Sequence, residues 1–323
     1  MTARVRILPS RHEFTAEGND TILDAALRSG LALDYGCSNG NCGLCKAHVV
    51  SGETSKLRPH DYRITEAEKT ANTVLMCSYG PVSDLVLEAL EAHGTRDIPR
   101  QKVATRVRSK EQLTEDILLL RLQTPRTQRL RFLAGQSVTL STNGAAREYP
   151  IASCPCDDRN LEFHVRRTNE PFSEHVFGRV RCNDVVNLEG PRGDFVLDES
   201  SKRPLLFLGY DTGFAPVKSL IEHAMALDTA ESLNLYWAAR TDGGHYLRNL
   251  CRSWCDALDK FHCALLTGAP DDPGLLQPLA REQPSLAACD VYVAGPHEFV
   301  LASEMFLLEH GLPQAQLRTS RVE

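Results

Sequence analysis

Four cysteines in the first quarter of the chain carry the strongest chemical signal. Cys37, Cys42 and Cys45 follow the spacing C-x4-C-x2-C, and Cys77 lies thirty-two residues further on. Soft thiolate ligands suit iron–sulfur clusters, and this spacing is the plant-type [2Fe–2S] pattern. Three glycines in the same loop permit positive φ angles and a close approach of the backbone to the cluster sulfides. A zinc site is the alternative, but zinc usually takes paired C-x2-C units.

The other seven cysteines form no second ligand set in the sequence. They are Cys154, Cys156, Cys182, Cys251, Cys255, Cys263 and Cys289. We expect all of them, including the closely spaced Cys154-Pro-Cys156 pair, to be buried or free thiols.

The composition bounds the class of protein. The 323-residue chain is long enough for two or three domains. It is 42% hydrophobic and 24% charged and has no apolar run long enough to cross a bilayer, so we expect a globular protein without a membrane span. The first residues lack the apolar region of a signal peptide, which favours the cytoplasm.

The charge changes along the chain. The net charge is −3 over residues 1–92, +2 over 93–200 and −5 over 201–323. No section is basic enough to suggest a nucleic-acid partner. The arginine-rich middle section suits an anionic cofactor, and the acidic first section could steer the chain towards a basic patch on a partner protein, although simple solubility explains it equally well.

Hydrophobic periodicity divides the chain into three sections. Residues 1–92 hold a hairpin, one helix, the cysteine loop and further short strands. Residues 93–100 have no periodicity and are typical of a linker. Short alternating strands over 101–200 predict an antiparallel β-barrel. Strands alternate with helices over 201–323, which predicts parallel βα units and a Rossmann-like nucleotide-binding sheet.

The cysteine loop resembles that of a known group of proteins. The segment YGCSNGNCGLCKAHVVSGE is similar to the cluster loop of the ferredoxin domains fused to bacterial flavin reductases. The resemblance covers about residues 1–92 and implies a β-grasp fold. The expected fold class is therefore multidomain, α+β followed by α/β, with a β-grasp ferredoxin, an antiparallel barrel and a Rossmann-like domain.

A flavin is expected for both chemical and sequence reasons. A one-electron cluster cannot accept a hydride, whereas flavin takes two electrons and releases them singly. The segment REYPIAS resembles the R-x-Y-S motif of the ferredoxin–NADP reductase superfamily. This resemblance implies FAD, with Arg147 on the pyrophosphate, where a planar guanidinium suits phosphate oxygens, and Tyr149 packed on the flavin. Pro150 and Ser153 belong to the same segment.

Two later segments extend the resemblance. FHVRR resembles the family's next flavin-contacting strand and implies contacts from Val165 and Arg166. Ser173 follows at the start of a predicted helix, whose N-terminus could hold a phosphate, and it is the expected hydroxyl donor. EGPRGDF, over residues 189–195, resembles the turn that closes the family's barrel.

The last section resembles the nicotinamide domain of these reductases. Asp211, Thr212 and Gly213 stand in a segment similar to the G-G-T-G-x-A-P phosphate loop, at the end of a strand that enters a helix. Three further residues match motifs near the nucleotide: Arg240 in YWAAR, and Gly295 and Pro296 in AGP.

Four departures from the family pattern concentrate around hydride transfer. Pro150 stands where the family has a hydroxyl near flavin N5, and Ala294 replaces the motif cysteine, so these two positions flank the transfer site. Tyr210 and Asp211 replace paired glycines, and an aspartate would repel a pyrophosphate. The C-terminal RTSRVE lacks the family's aromatic residue. A slowed nicotinamide step is one expectation, and a compensated, fully active site is the other.

The expected function is that of a reductase component. It passes electrons from NAD(P)H, with NADH favoured, through FAD and the [2Fe–2S] cluster to a partner protein. Similar proteins serve oxygenases or the dehydrase of CDP-deoxysugar formation, and YGCSNGNCGLC and GFAPVKS look most similar to the sugar-pathway reductases. The alternative is a flavin and iron–sulfur electron carrier, or docking subunit, with weak or no NAD(P)H oxidation of its own, which the four departures favour.

Overall fold

The computed structural model describes residues 2–92, 94–283 and 285–322. The elements of the N-terminal section are β1 (Thr2–Leu8), β2 (Glu13–Glu17), α1 (Ile22–Arg28), β3 (Lys46–Ser51), β4 (Thr54–Lys56), α2 (Glu66–Thr70), β5 (Thr73–Leu75), β6 (Tyr79–Pro81) and β7 (Leu85–Glu88). They form a five-stranded sheet in the order β2-β1-β7-β3-β5, with β4 and β6 paired beside it.

Local sequence explains the main elements of this section. Exposed and buried residues alternate along β1, so Val5 and Ile7 point into the core. Helix α1 begins after Thr21, whose Oγ1 accepts a hydrogen bond from the Asp24 backbone N at 3.1 Å. The helix places Ile22 and Leu23 in the same core.

The second section is a six-stranded antiparallel sheet with one helix. Its elements are β8 (Gln101–Gln112), β9 (Ile117–Gln123), β10 (Ser137–Thr142), β11 (Ala145–Pro150), β12 (Asn160–Arg166), α3 (Pro171–Gly178) and β13 (Val185–Arg192). The strand order is β11-β10-β13-β8-β9-β12, and the two outer strands, β11 and β12, contact each other, which gives the predicted barrel shape. Phe172 and Val176 of α3 pack into the barrel core.

The third section is a parallel sheet covered by helices. Its elements are β14 (Leu205–Tyr210), α4 (Phe214–Leu227), β15 (Leu233–Ala239), α5 (Arg248–Ala257), β16 (Phe261–Thr267), α6 (Gln277–Glu282), β17 (Asp290–Gly295), α7 (His297–Glu309) and β18 (Leu317–Arg321). The order β16-β15-β14-β17-β18 is parallel throughout. Strands β14, β15 and β17 are buried along their whole length, as continuous apolar strands of a parallel sheet should be.

The helices of the described residues are too short or too polar to cross a membrane. The longest, α4, spans fourteen residues.

The cysteine loop of the first section lies against the barrel. The Arg129 backbone N donates to Gly36 O at 2.8 Å, and the Arg129 guanidinium donates to Ser38 Oγ at 2.7 and 3.0 Å. The Ser38 N donates in turn to Arg126 O at 3.1 Å. The barrel segment between β9 and β10 thus holds the loop that carries the cysteines.

The predicted linker, 93–100, is attached to the barrel over its described part. Its first residue, His93, lies outside the described residues. Thr95 Oγ1 donates to Asp194 Oδ1 at 2.7 Å, and Ile98 packs in a small apolar cluster with Ala92 and Leu133. These contacts restrict how freely the first section can move relative to the barrel.

Candidate cofactor sites

The four predicted cluster ligands come together at one site, three from the loop between α1 and β3 and Cys77 from the turn between β5 and β6. The sulfurs of Cys45 and Cys77 are 3.3 Å apart, and the Cys42 backbone N donates to the Cys37 sulfur at 3.4 Å. Cys37, Cys45 and Cys77 are buried, whereas Cys42 is exposed. Four converging thiols with backbone N–H groups aimed at them are the donor set that a [2Fe–2S] cluster takes, so the loop fits the cluster.

Two glycines let the loop close around this site. Gly40 and Gly43 have φ angles of +75° and +74°, which disfavour any other residue. A Cβ atom at Gly40 would lie 2.4 Å from the Cβ of His60, and one at Gly43 would lie 2.2 Å from the Tyr62 ring. The loop therefore depends on glycine for both backbone conformation and packing.

The predicted flavin residues surround a cavity of about 770 Å³ between the barrel and the nucleotide domain. Its lining includes Arg147, Tyr149, Pro150, His164, Arg166 and Thr212, together with Arg321 and Val322 from the C-terminal strand. The Tyr149 ring packs on Phe172, with centroids 5.4 Å apart. Its hydroxyl is buried without a hydrogen-bond partner among the described residues, and burial raises the pKa of Tyr149 to about 12. An unpaired polar atom here fits a bound ligand.

Arg147 is one of the residues that line this cavity. It forms an ion pair with Glu170, and its Nη1 donates to Thr168 Oγ1 at 3.2 Å. Its guanidinium lies 5.8 Å from the centre of the Tyr149 ring. The side chain is thus largely buried beside the aromatic face expected to carry the flavin, where a guanidinium can reach a pyrophosphate.

Arg166 and Asp211 form an ion pair across the boundary between the barrel and the nucleotide domain. Arg166 forms a second ion pair with Asp116 of the barrel. Burial raises the pKa of Asp211, while the charge of Arg166 works against that rise. The carboxylate of Asp211 therefore pairs with an arginine that also lines the flavin cavity.

Three residues expected at the flavin do not line the cavity. Val165 is fully buried inside the barrel core. Ser173 is also fully buried, and its Oγ donates to Arg166 O and accepts from Thr168 N, both at 2.9 Å. Ser153 accepts from the Glu162 N at 3.2 Å through its Oγ. The two serines hold the ends of β12 in place.

His164 lines the cavity and was missed by the sequence argument. Its Nδ1 is 2.8 Å from the Tyr246 hydroxyl of the nucleotide domain, and its Nε2 is buried with no partner in the described parts of the chain. Burial, followed by the charge of Lys218, lowers the pKa of His164 to about 3, so the imidazole is neutral. The available signal was a histidine inside the apolar strand LEFHV.

The phosphate-loop segment lies at the carboxyl edge of the parallel sheet. Asp211 has a φ of +56°, and its backbone O accepts from Trp237 Nε1 at 3.1 Å. A Cβ at Gly213 would lie 2.2 Å from Ala294 O, so this glycine permits direct packing of the segment on β17. Thr212 faces the flavin cavity. This is the strand-to-helix position at which dinucleotides bind in such sheets.

The remaining nucleotide-domain residues flank this segment. Tyr210 is buried; its hydroxyl donates to Gly268 O at 2.9 Å and its ring lies 5.2 Å from Phe299. Ala294 is buried at the end of β17, and Arg240 is exposed directly after β15. The last two predicted residues, Gly295 and Pro296, lead from β17 into α7.

The Cys154-Pro-Cys156 pair differs from expectation. Cys154 and Cys156 are joined by a disulfide bond, not free. His223 of α4 lies next to them, with its Nδ1 4.0 Å from the Cys154 sulfur. The sequence could not indicate this neighbour, because sixty-nine residues separate the two positions.

Three domain families match in the predicted order. Residues 5–82 match the 2Fe-2S iron-sulfur cluster binding domain, 104–197 the oxidoreductase FAD-binding domain and 207–304 the oxidoreductase NAD-binding domain. The chain is therefore an NAD(P)H-dependent oxidoreductase that uses FAD and a [2Fe–2S] cluster, which confirms the cluster, FAD and NAD(P)H as predicted cofactors.

Curated relatives refine this class. The chain is 31% identical to the CDP-6-deoxy-L-threo-D-glycero-4-hexulose-3-dehydrase reductase of Yersinia pestis, over 97% of this chain and 96% of the relative. It is 29% identical to the reductase component of propane 2-monooxygenase from Mycolicibacterium smegmatis, over 97% and 95% of the two chains. The chain belongs to this family of ferredoxin-type electron-transfer reductases, which confirms the predicted activity.

Solved structures agree on the fold. The cytochrome P450 reductase GcoB of Amycolatopsis superposes with a TM-score of 0.63 at 24% identity, covering 99% of this chain and 98% of the other. The ferredoxin reductase of carbazole 1,9a-dioxygenase gives a TM-score of 0.60 at 23% identity, covering 99% and 98%. The three-part fold class predicted from the sequence is confirmed.

Proposed function

We propose that this reductase delivers its electrons to a separate dehydrase that acts on a CDP-deoxysugar. The observation that carries this choice is the 31% identity to the Yersinia pestis dehydrase reductase over nearly the full length of both chains. An oxygenase component is the second candidate acceptor, because the propane 2-monooxygenase reductase aligns over a similar length.

The surface around Cys42 is the proposed exit for electrons. Cys37, Cys45 and Cys77 are buried, and the loop is held on the barrel through Arg129, so only the Cys42 side faces outward. Leu44 next to it is 57% exposed. An apolar side chain beside the exposed ligand would let a partner approach closely and exclude water there.

The flavin site is proposed to use Arg147 for the pyrophosphate and Tyr149 as the aromatic face against the ring. When bound, FAD accepts a hydride from the nicotinamide and passes electrons on one at a time. Pro150 has no N–H to offer the flavin. His164 would take that role, because its neutral Nε2 could contact a polar edge of the flavin and would thereby gain the hydrogen-bond partner that it lacks. Arg166 would position the phosphate loop through Asp211.

The nicotinamide nucleotide is proposed to lie along the segment Asp211 to Gly213. Arg240, exposed at the end of β15, would reach its ribose or phosphate, and NADH is the proposed donor. Pro150 and Ala294 remain the proposed flanks of the hydride-transfer site, with Gly295 and Pro296 beside them. The division into 1–92, 101–200 and 201–323, joined by 93–100, belongs to the same proposal.

A direct assay tests the acceptor. The purified reductase is mixed with NADH or NADPH and either the Yersinia 3-dehydrase or the propane 2-monooxygenase oxygenase component, and acceptor-dependent nucleotide oxidation is measured. Turnover with the dehydrase is expected. Turnover with the oxygenase alone would reassign the acceptor. If neither NADH nor NADPH bleaches the flavin under anaerobic conditions, the carrier function is favoured.

The Arg166–Asp211 ion pair should set the affinity for NAD(P)H. Unit charges about 4 Å apart at an effective dielectric near 20 interact by roughly 4 kcal/mol before screening. Arg166→Gln removes the charge that pairs with Asp211, so the Asp211 carboxylate can repel the phosphates of the nucleotide. If a third of that interaction energy remains after screening, KM should rise by about tenfold. Asp211→Asn alone should change KM by less than about threefold, because its charge is already neutralised.

The double variant supplies the control. Adding Asp211→Asn to Arg166→Gln should return KM to near its original value, measured with excess FAD and a small dye as acceptor. Equal KM values in the Arg166 variant with and without Asp211→Asn would mean that this carboxylate does not face the nucleotide.

His164 should make the protein less stable in acid. The unfolded chain protonates this histidine near pH 6.5, but the folded chain does so only near pH 3. Stability is therefore lost as the pH falls through this window, by up to about 1.4 kcal/mol per pH unit. Between about pH 7.5 and pH 5 the loss from this group is about 2 kcal/mol. Arg121, Lys218 and Glu162 also act on this pKa.

The matched variant is His164→Gln, which can still bond to the Tyr246 hydroxyl. Its thermal midpoint should fall less between those two pH values than that of the unmodified protein. If the thermal midpoints of the two proteins fall equally between these pH values, the pKa of His164 is not lowered in the folded state.

A further inference from the structure

A second group of potential ligands lies outside the cofactor sites. The sulfurs of Cys154 and Cys156 and a ring nitrogen of His223 all lie within 4.8 Å of one another. Cys154 is 8% exposed and His223 is 3% exposed. Once the disulfide is reduced, two cysteine sulfurs and an imidazole so close together match the ligand types of protein zinc sites, where Zn–S is about 2.3 Å and Zn–N about 2.0 Å.

The histidine is already oriented as a ligand. Its Nε2 lies 2.9 Å from Glu199 Oε1, and its Nδ1 is the nitrogen that faces Cys154, at 4.0 Å from the sulfur. A carboxylate that accepts from one ring N–H leaves the lone pair of the other nitrogen free for a metal. Glu199 therefore selects the tautomer that a metal would need.

The cysteine pair is also held in place by the backbone. The Cys156 N donates to the Cys154 sulfur at 3.2 Å, and the Cys154 N donates to Glu222 Oε2 at 3.2 Å. Pro155 between them limits the backbone freedom of the pair. Two ligands one residue apart on a rigid turn lose little conformational entropy when they bind one ion.

The location links all three domains. Cys154 and Cys156 follow β11 of the barrel, and His223 lies on α4 of the nucleotide domain. Gly30 of the first domain lies close to the histidine: a Cβ added there would lie 3.3 Å from His223 Cε1, and both residues line one small cavity. An ion at this point would join the barrel to the nucleotide domain where the ferredoxin domain meets them.

We propose that Cys154, Cys156 and His223 bind one zinc ion when the Cys154–Cys156 disulfide is reduced. A dithiol reductant that is itself oxidised to a disulfide supplies two electrons and two protons and yields two thiols. Zinc then displaces both thiol protons, and the two thiolate charges balance the dication. The fourth position is left to water or to a neighbouring carboxylate. The disulfide and the zinc site are mutually exclusive states of the same pair.

Metal analysis of the holoprotein tests this proposal. The protein, with iron and FAD contents confirmed, is reduced with a phosphine, equilibrated with zinc chloride and passed through a desalting column. We expect about one retained zinc per chain, in addition to the iron. Cys156→Ser and His223→Gln should each lower retained zinc by at least about tenfold. Cys182→Ser and Cys255→Ser, which alter exposed free thiols, should retain it.

A second measurement protects against variants that fail to fold. In the unmodified protein, zinc should slow alkylation of Cys154 and Cys156, mapped by mass spectrometry, and should not slow that of Cys182. The proposal is overturned if the reduced protein retains no zinc although both cysteines are shown to be thiols. It is equally overturned if His223→Gln retains as much zinc as the unmodified protein.

Discussion

Replacing Cys77 with serine is expected to remove the [2Fe–2S] cluster while leaving the reduction of flavin by NAD(P)H intact. Cys77 is 1% exposed and its sulfur lies 3.3 Å from that of Cys45, so a serine hydroxyl there offers a poor ligand in a buried position. The barrel and the nucleotide domain have their own cores and do not depend on this thiol.

The readout separates two electron routes. Reduction of a small two-electron dye should continue near its original rate, because it needs only the flavin. Reduction of a one-electron protein acceptor should fall by about 100-fold or more, because the cluster no longer carries electrons out. Iron and acid-labile sulfide should both be absent.

Cys182→Ser is the matched control, because Cys182 is an exposed free thiol in the barrel. It should keep the cluster and both activities. Zinc in place of iron in the unmodified protein, or an unchanged protein-acceptor rate in the Cys77 variant, would contradict the assignment of the four ligands.

The cluster ligands, the antiparallel barrel and the parallel nucleotide-binding sheet could be predicted from the sequence because these predictions rest on local patterns. The spacing of Cys37, Cys42 and Cys45 lies within one loop, and the alternation in strands such as β8 is a property of neighbouring residues. Strand β18, in contrast, was missed. Its residues, LRTSR, have little apolar character, and it exists because its backbone pairs with β17.

Individual flavin residues were harder to predict, because successive side chains of a strand point to opposite faces and the sequence does not say which face meets the cavity. Val165 shares its face with Leu161 and Phe163, all three inside the barrel core, so it cannot reach the cavity. His164 points the other way and becomes buried only because Tyr246 and Phe214 of the nucleotide domain cover it. The sequence shows that side chains alternate along β12, but it does not show that the nucleotide domain packs against the face that carries His164.

Asp211 illustrates a tertiary contact that one sequence cannot reveal. Considered alone, its charge predicted repulsion of the nucleotide. Arg166, forty-five residues earlier, pairs with it across the domain boundary. The disulfide beside His223 depends in the same way on tertiary contacts, since α4 brings the histidine to a turn of the barrel.

Replacing Arg147 with alanine is expected to weaken FAD binding by about 100-fold, equivalent to roughly 2.7 kcal/mol. The guanidinium is largely buried beside the Tyr149 ring in the lining of the cavity, where a charge-assisted contact to a pyrophosphate is only weakly screened. Binding of FMN, which lacks a pyrophosphate, should weaken less, so the variant should discriminate less between the two flavins. Apoprotein titrated with each flavin, followed by fluorescence, gives both dissociation constants.

A substitution at Glu170 provides a control in which FAD affinity should change in the opposite direction. Glu170 pairs with Arg147 and also lines the cavity, so its carboxylate competes with the pyrophosphate for the same guanidinium. Glu170→Gln should therefore tighten FAD binding by about threefold, while Arg159→Ala, at an exposed arginine outside the cavity, should leave it unchanged. Circular dichroism and the thermal midpoint of each apoprotein report whether the variant is folded. Unchanged FAD affinity in a folded Arg147→Ala protein would move the pyrophosphate site elsewhere, and tighter binding in both the Arg147 and Glu170 variants would mean that the ion pair itself blocks the cavity.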